Sequence, residues 1–410
     1  MQVEVQVPGR PALLIDDGIL ASYREQLGDA QPKSTRLAYA ATRIVLQDNY
    51  AGVAHSVERP GAAAEIAEAV DWDATSDLRR RLDTLGFGVA EAMDTAQRFE
   101  VGWQTAERLI LNCGKLGLAN GFVAGAGVDH LPVIESPADL VEGVVHQARV
   151  IQEAGGDVIL LPLQWLAQSG CDAETYVAVY SQIIERLDGP LFVHWLGEMF
   201  QPQLAGYFPE DSFQRVMDSA PEKVRGAKLS LLDADREVRL RRVLLANDQV
   251  LLTGDDLHFA ELILGGDAQG SSQVAPVERW VPVGTRTAAL GDFSHALLGV
   301  LDAVAEPASL ALSFLDRGDR ETYLTLMRPC EDLGRCLFQA PTRHYKAGLA
   351  FLAWLNGLQP NPMLANHEER ARDRDHYLRA AELACAAGAL RDAGLAADRL
   401  EEFIAADAGP

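Results

Sequence analysis

The chain predicts an α/β fold: a (β/α)8 TIM barrel with an N-terminal β appendage and a C-terminal α-helical extension. Three observations point there. Short apolar runs recur eight times from about residue 42 onward. They are continuous rather than alternating, as strands buried on both faces of a parallel sheet must be. Amphipathic segments separate them, and strand–helix alternation builds a parallel sheet covered by helices. No Gly-x-Gly-x-x-Gly follows the first run, which weighs against a dinucleotide fold, and eight units favour a closed barrel over an open sheet.

Residues 1–41 form the appendage. Val3–Val7 alternates like a strand, Pro8-Gly9 marks a turn, and 12–15 supplies the return. The barrel is expected over 42–306. Its strand runs are 43–46, 86–90, 121–125, 158–161, 190–195, 224–229, 249–253 and 270–275. Helical patterns at 95–116, 137–154, 173–186 and 235–245 lie between them. A last barrel helix is expected at 295–304. An all-helical extension then occupies 307–410, broken by the stiff Gly357-Leu358-Gln359-Pro360-Asn361-Pro362 segment.

Composition excludes some functions. The 410 residues carry a formal net charge of −23 with no basic stripe, so nucleic acid is not an expected partner. No apolar run is long enough for a membrane span, and no signal pattern opens the chain. A cytoplasmic location is expected. The five cysteines include no Cys-x-x-Cys pair, which points to free thiols rather than a disulfide framework or zinc site. No cofactor and no metal are expected.

Chemistry in such barrels sits at the C-terminal ends of the strands. Lys228, one of only five lysines, lies in the apolar run Val224-Arg225-Gly226-Ala227-Lys228-Leu229. An ammonium there is costly to bury, and burial lowers its pKa toward the range of a nucleophile. His194, at the end of the fifth run, has an intrinsic pKa suited to carrying protons. Glu91, Gly125, Gln164, Asp255 and Ser271 stand at other strand ends and are candidates for holding a substrate. Asp255-Asp256 equally suits a helix cap. Asp129-His130 is half of a metal site without an obvious remainder.

The ordered pieces resemble the dihydrodipicolinate synthase and N-acetylneuraminate lyase superfamily. The resemblance rests on Leu85-Gly86-Phe87-Gly88, Ala124-Gly125-Ala126-Gly127, Gly155-Gly156-Asp157 through Pro162, and Gly189-Pro190 through His194. Gly226-Ala227-Lys228, Thr253-Gly254-Asp255-Asp256 and the tail Tyr345-Lys346 with Pro360-Asn361-Pro362 extend it to roughly residues 42–390. It implies a divergent branch of Schiff-base barrels and a homo-oligomer, dimer or tetramer. It also implies that Lys228 is the imine-forming residue. The family's Thr/Ser pair after the second-strand glycine is not matched, and its strand-five tyrosine is replaced by His194. A sugar-derived carbonyl compound is therefore as suitable a substrate as a 2-oxo acid.

The expected function is a class I lyase or aldolase, with Lys228 as nucleophile and His194 as proton shuttle. Two alternatives compete. One is a metal-dependent sugar isomerase or epimerase using Asp129, His130, His194 and Glu198. The other is a barrel that binds a metabolite without catalysis.

Overall fold

The computed structural model describes residues 1–28, 34–284 and 286–406. An antiparallel hairpin, β1 (Gln2–Val5) and β2 (Leu13–Asp16), opens the chain. Eight parallel strands then close into a barrel. They are β3 (Ala38–Ala41), β4 (Gly88–Glu91), β5 (Phe122–Ala126), β6 (Asp157–Leu160), β7 (Leu191–Leu196), β8 (Val224–Ser230), β9 (Val250–Thr253) and, after a second hairpin, β12 (His295–Leu298). That hairpin joins β10 (Arg279–Val283) to β11 (Arg286–Leu290). Helices such as Arg98–Lys115, Pro137–Glu153, Ala173–Glu185 and Ala234–Ala246 cover the outside.

Six of the eight strands fall where the apolar runs predict them. The first and last do not. β3 is Ala38–Ala41, not 43–46, and β12 is His295–Leu298, not 270–275. These two strands form the seam, pairing Ala296 with Ala38 and Leu298 with Ala40. Both are short and rich in Ala or Leu, which favour helices, so tertiary pairing overrides local preference. The 295–304 segment is consequently strand followed by a single 3-10 turn, Val300–Asp302, rather than an α-helix. The 43–46 run lies just past the barrel rim, where Leu46 bridges Val70 and Val45 accepts a hydrogen bond from Asp71.

The hairpin β10–β11 seals the bottom of the barrel. Val281, Val283, Ala288 and Leu290 pack with interior Tyr39, Val123, Ile159 and Phe192. Arg286 fixes it, donating to the Tyr39 hydroxyl, to Asp157 at 2.9 Å and to the Asn120 carbonyl at 2.7 Å. The C-terminal helices include Ala305–Asp316, Arg320–Leu337, Tyr345–Leu355, Arg374–Ala386 and Ala393–Ala406. Among the described residues, no helix is long and apolar enough to cross a membrane.

Candidate active site

Alternate residues of a strand face one side. On β8 this puts Lys228 and Ser230 inside the barrel. The register sets Lys228 beside His194 of β7 and Leu252 of β9. Both Lys228 and His194 line a cavity of about 60 Å³ at the C-terminal end of the barrel. That is room for roughly four waters or a small carbonyl fragment. Gly254, following β9, makes space for the lysine stem. A Cβ there would lie 2.9 Å from Lys228 Cε and 2.2 Å from Ser230 Oγ.

The C-terminal helices furnish the roof. Phe338 and Tyr345 stack with centroids 4.3 Å apart and face the cavity. The Tyr345 hydroxyl shares a 2.8 Å hydrogen bond with Thr95 Oγ1, from the segment after β4. Asp94 also lines the cavity, but its carboxylate is held by Lys346 Nζ at 3.1 Å. Above lies a second chamber of about 510 Å³ that shares Asp94, Phe99 and Phe200 with the first. Gln164, Gln201, Gln203 and Arg343 face it.

Lys228 has no hydrogen bond or ion pair with any described residue. Burial pushes its ammonium down to about 8, against the opposing pull of Asp256 and Asp94. Asp256 is pushed up to about 7, again by burial, although the Val300 N–H donates to its Oδ1 at 2.9 Å. His194 is 3% exposed; burial and the nearby Lys228 charge hold it well below the ordinary 6.5. Its Nε2 lies 3.2 Å from Ser230 Oγ, and its buried Nδ1 has no partner. The imidazole is therefore neutral at pH 7. A shuttle of the kind expected from the sequence would need an imidazolium that this site disfavours.

The other expected residues are dispersed. Glu91 is fully buried behind the barrel wall in a two-point ion pair with Arg79, 2.8 Å at each contact. Gly125 does not line the cavity; its carbonyl accepts from Arg98, and a Cβ would press on Leu161 at 2.9 Å. Gln164 belongs to the upper chamber. Asp255 points away and caps the next turn, accepting from the N–H groups of Leu257 and His258 and from the His258 ring. Ser271 sits in the loop after Gly270, its carbonyl accepting from Arg320. Asp129 is held by Arg98 and Gln147, and His130 by Gln147. Among the described residues no three His, Cys, Asp or Glu side chains converge as a metal site.

Asp256, Asp94, Thr95, Ser230 and Tyr345 join the site without having been singled out. Asp256 was within reach of sequence reasoning as the partner of Asp255, but nothing in the pair says which carboxylate turns inward. Tyr345 arrives from 117 positions beyond Lys228, and no spacing rule connects them.

A family model described as "Protein of unknown function (DUF993)" matches residues 15–408. The chain belongs to this family. No curated protein matches it. Among solved structures, it is similar to dihydrodipicolinate synthase from Oceanobacillus iheyensis, at 14% identity and TM-score 0.58, covering 88% of this chain and 97% of that one. It is likewise similar to dihydrodipicolinate synthase from Agrobacterium tumefaciens, at 16% identity and TM-score 0.56, covering 86% and 99%. N-acetylneuraminate lyase from Fusobacterium nucleatum, solved with pyruvate, matches at 12% identity and TM-score 0.56, covering 85% and 96%. The DUF993 chain thus shares the fold of those proteins.

Proposed function

We propose that this DUF993 protein is a class I lyase or aldolase in which Lys228 forms an imine with a small carbonyl compound. The observation that carries the reading is an unpaired lysine in a closed cavity at the catalytic end of a barrel. Structural lysines inside a barrel are paired, because even a half-buried ammonium without a partner is costly. A value near 8 leaves part of Lys228 as free amine at neutral pH. The likeness to dihydrodipicolinate synthase and N-acetylneuraminate lyase structures supports the same reading by fold.

In this reading the amine attacks the carbonyl carbon and water leaves. The iminium then withdraws electrons while a bond at the neighbouring carbon breaks or forms. Tyr345, oriented by Thr95, faces the cavity from the roof. Neutral His194 contributes hydrogen bonding through its free Nδ1. The inward carboxylates favour a hydroxylated carbonyl compound, such as a keto sugar, over a 2-oxo acid. A substrate carboxylate would add a negative charge beside Asp94 and Asp256, and among the described residues lining the small cavity Lys228 is the only lysine or arginine.

The test is proton exchange in D2O followed by NMR, across a panel of keto sugars and 2-oxo acids. Wild-type protein should wash deuterium into the carbon next to the carbonyl of at least one compound, and Lys228→Met should not. Equal exchange by both proteins, or none by either, overturns the proposal.

A further inference from the structure

Imine formation needs a proton carrier beside the amine. The proton that leaves nitrogen must reach oxygen before water can depart. Four titratable groups share the cavity with Lys228, namely Asp94, His194, Tyr345 and Asp256, and three are poorly placed to carry its proton. Asp94 is held by the Lys346 ammonium at 3.1 Å. His194 is disfavoured as a cation by burial and by Lys228 itself. The Tyr345 hydroxyl is engaged with Thr95.

Asp256 remains. It is 4% exposed and lines the same small cavity. It stands two residues beyond Gly254, the position that touches the lysine stem. Its carboxyl rests on backbone N–H groups of Val300 and Gly299 rather than on a cation. Its backbone is fixed from behind: a Cβ on Gly334 would lie 2.4 Å from the Asp256 carbonyl oxygen. Asp256 therefore stands at the cavity wall on rigid elements and has no ion-pair partner among the described residues.

We infer that Asp256 is the catalytic acid and base of imine formation at Lys228. The inference rests on the proposed imine chemistry. The neutral amine attacks the carbonyl carbon, forming the C–N bond and leaving N⁺ and O⁻. The Asp256 carboxyl gives its proton to that oxygen. The resulting carboxylate then takes a proton from nitrogen, giving a neutral carbinolamine. Asp256 returns this proton to the hydroxyl, which leaves as water as the nitrogen lone pair forms the C=N bond. The iminium and the Asp256 carboxylate remain as a pair. Lysine and aspartate together start and finish with zero net charge, so the closed cavity never holds an uncompensated ion.

The test uses the full chain, cyanoborohydride and the same carbonyl panel, with the rate of adduct formation read by intact mass. Wild type should form a single adduct. Asp256→Ala should form it at least tenfold more slowly, a threshold set below the roughly hundredfold or more that positioned acids and bases typically contribute. Formate should restore at least a third of the lost rate in Asp256→Ala, occupying the freed N–H groups of Val300 and Gly299, and should leave wild type unchanged. A slowing of less than tenfold, or a slowing that formate does not relieve, overturns the inference. If Asp256→Ala does not fold, Asp256→Asn is held to the tenfold criterion alone. An adduct-free wild type rejects the imine reading itself, whereas a normal wild-type adduct with an equally fast variant rejects only the role of Asp256.

Discussion

Lys228 shows how a single side chain can be poorly suited to stability and well suited to chemistry. Its folded-state value near 8 lies below the ordinary 10.5. Between those values the unfolded chain binds the proton more tightly, so stability rises with pH across that window. Below pH 8 the full cost is present. Lys228→Met removes the ion and keeps the stem, and we expect it to melt higher than wild type at pH 7, by about 2 °C or more. The difference should shrink as pH rises toward 10.5. A lower melting temperature for the variant at pH 7 would mean that the ammonium is well compensated, against the unpaired lysine described above. Thermal melts read by circular dichroism decide the matter.

Elements explain why some expectations survived the structure and others did not. Strands β4 to β9 were legible because each presents a continuous apolar run bounded by turn residues. The seam strands β3 and β12 were not, because Ala38-Tyr39-Ala40-Ala41 and His295-Ala296-Leu297-Leu298 acquire their strand character only by pairing with each other. Lys228 and His194 were legible because polar residues inside apolar runs stand out. Glu91 met the same criterion, yet the pleat turns it outward onto Arg79 of the Trp72–Thr84 helix. We expect Glu91→Ala to destabilise the protein by about 3–5 kcal/mol, since it strands a buried guanidinium. Denaturant titration checks this, and a change under 1 kcal/mol would contradict a structural role. The His258–Asp255 pair at the end of β9 gives a pH signature. The hydrogen bond that the His258 ring donates to Asp255 raises the His258 value above 6.5, against some loss from burial. The pair's stabilisation is thus complete below pH 6.5 and is lost as pH rises through the raised value. His258→Ala should flatten the decline in melting temperature across that interval; an unchanged slope would contradict the linkage.

At the scale of the whole molecule, the barrel is closed at both ends by different devices. The β10–β11 hairpin fills the lower mouth with Val281 and Val283, and the C-terminal helices lay Phe338 and Tyr345 over the upper one. Closure supplies the dry surroundings that lower the value of Lys228 and raise that of Asp256. It also separates half-buried Lys228, which lines the cavity, from buried Lys346. Lys346 is 3% exposed, but Asp94 and Glu368 hold it as a charged ammonium, whereas Lys228 is unpaired. The most direct measurement is therefore the position of the reduced adduct. Protein treated with a reactive keto sugar and borohydride should be digested and sequenced by tandem mass spectrometry. A single modified lysine at Lys228 is the expected result. Modification at Lys346, or at exposed lysines alone, would contradict the account.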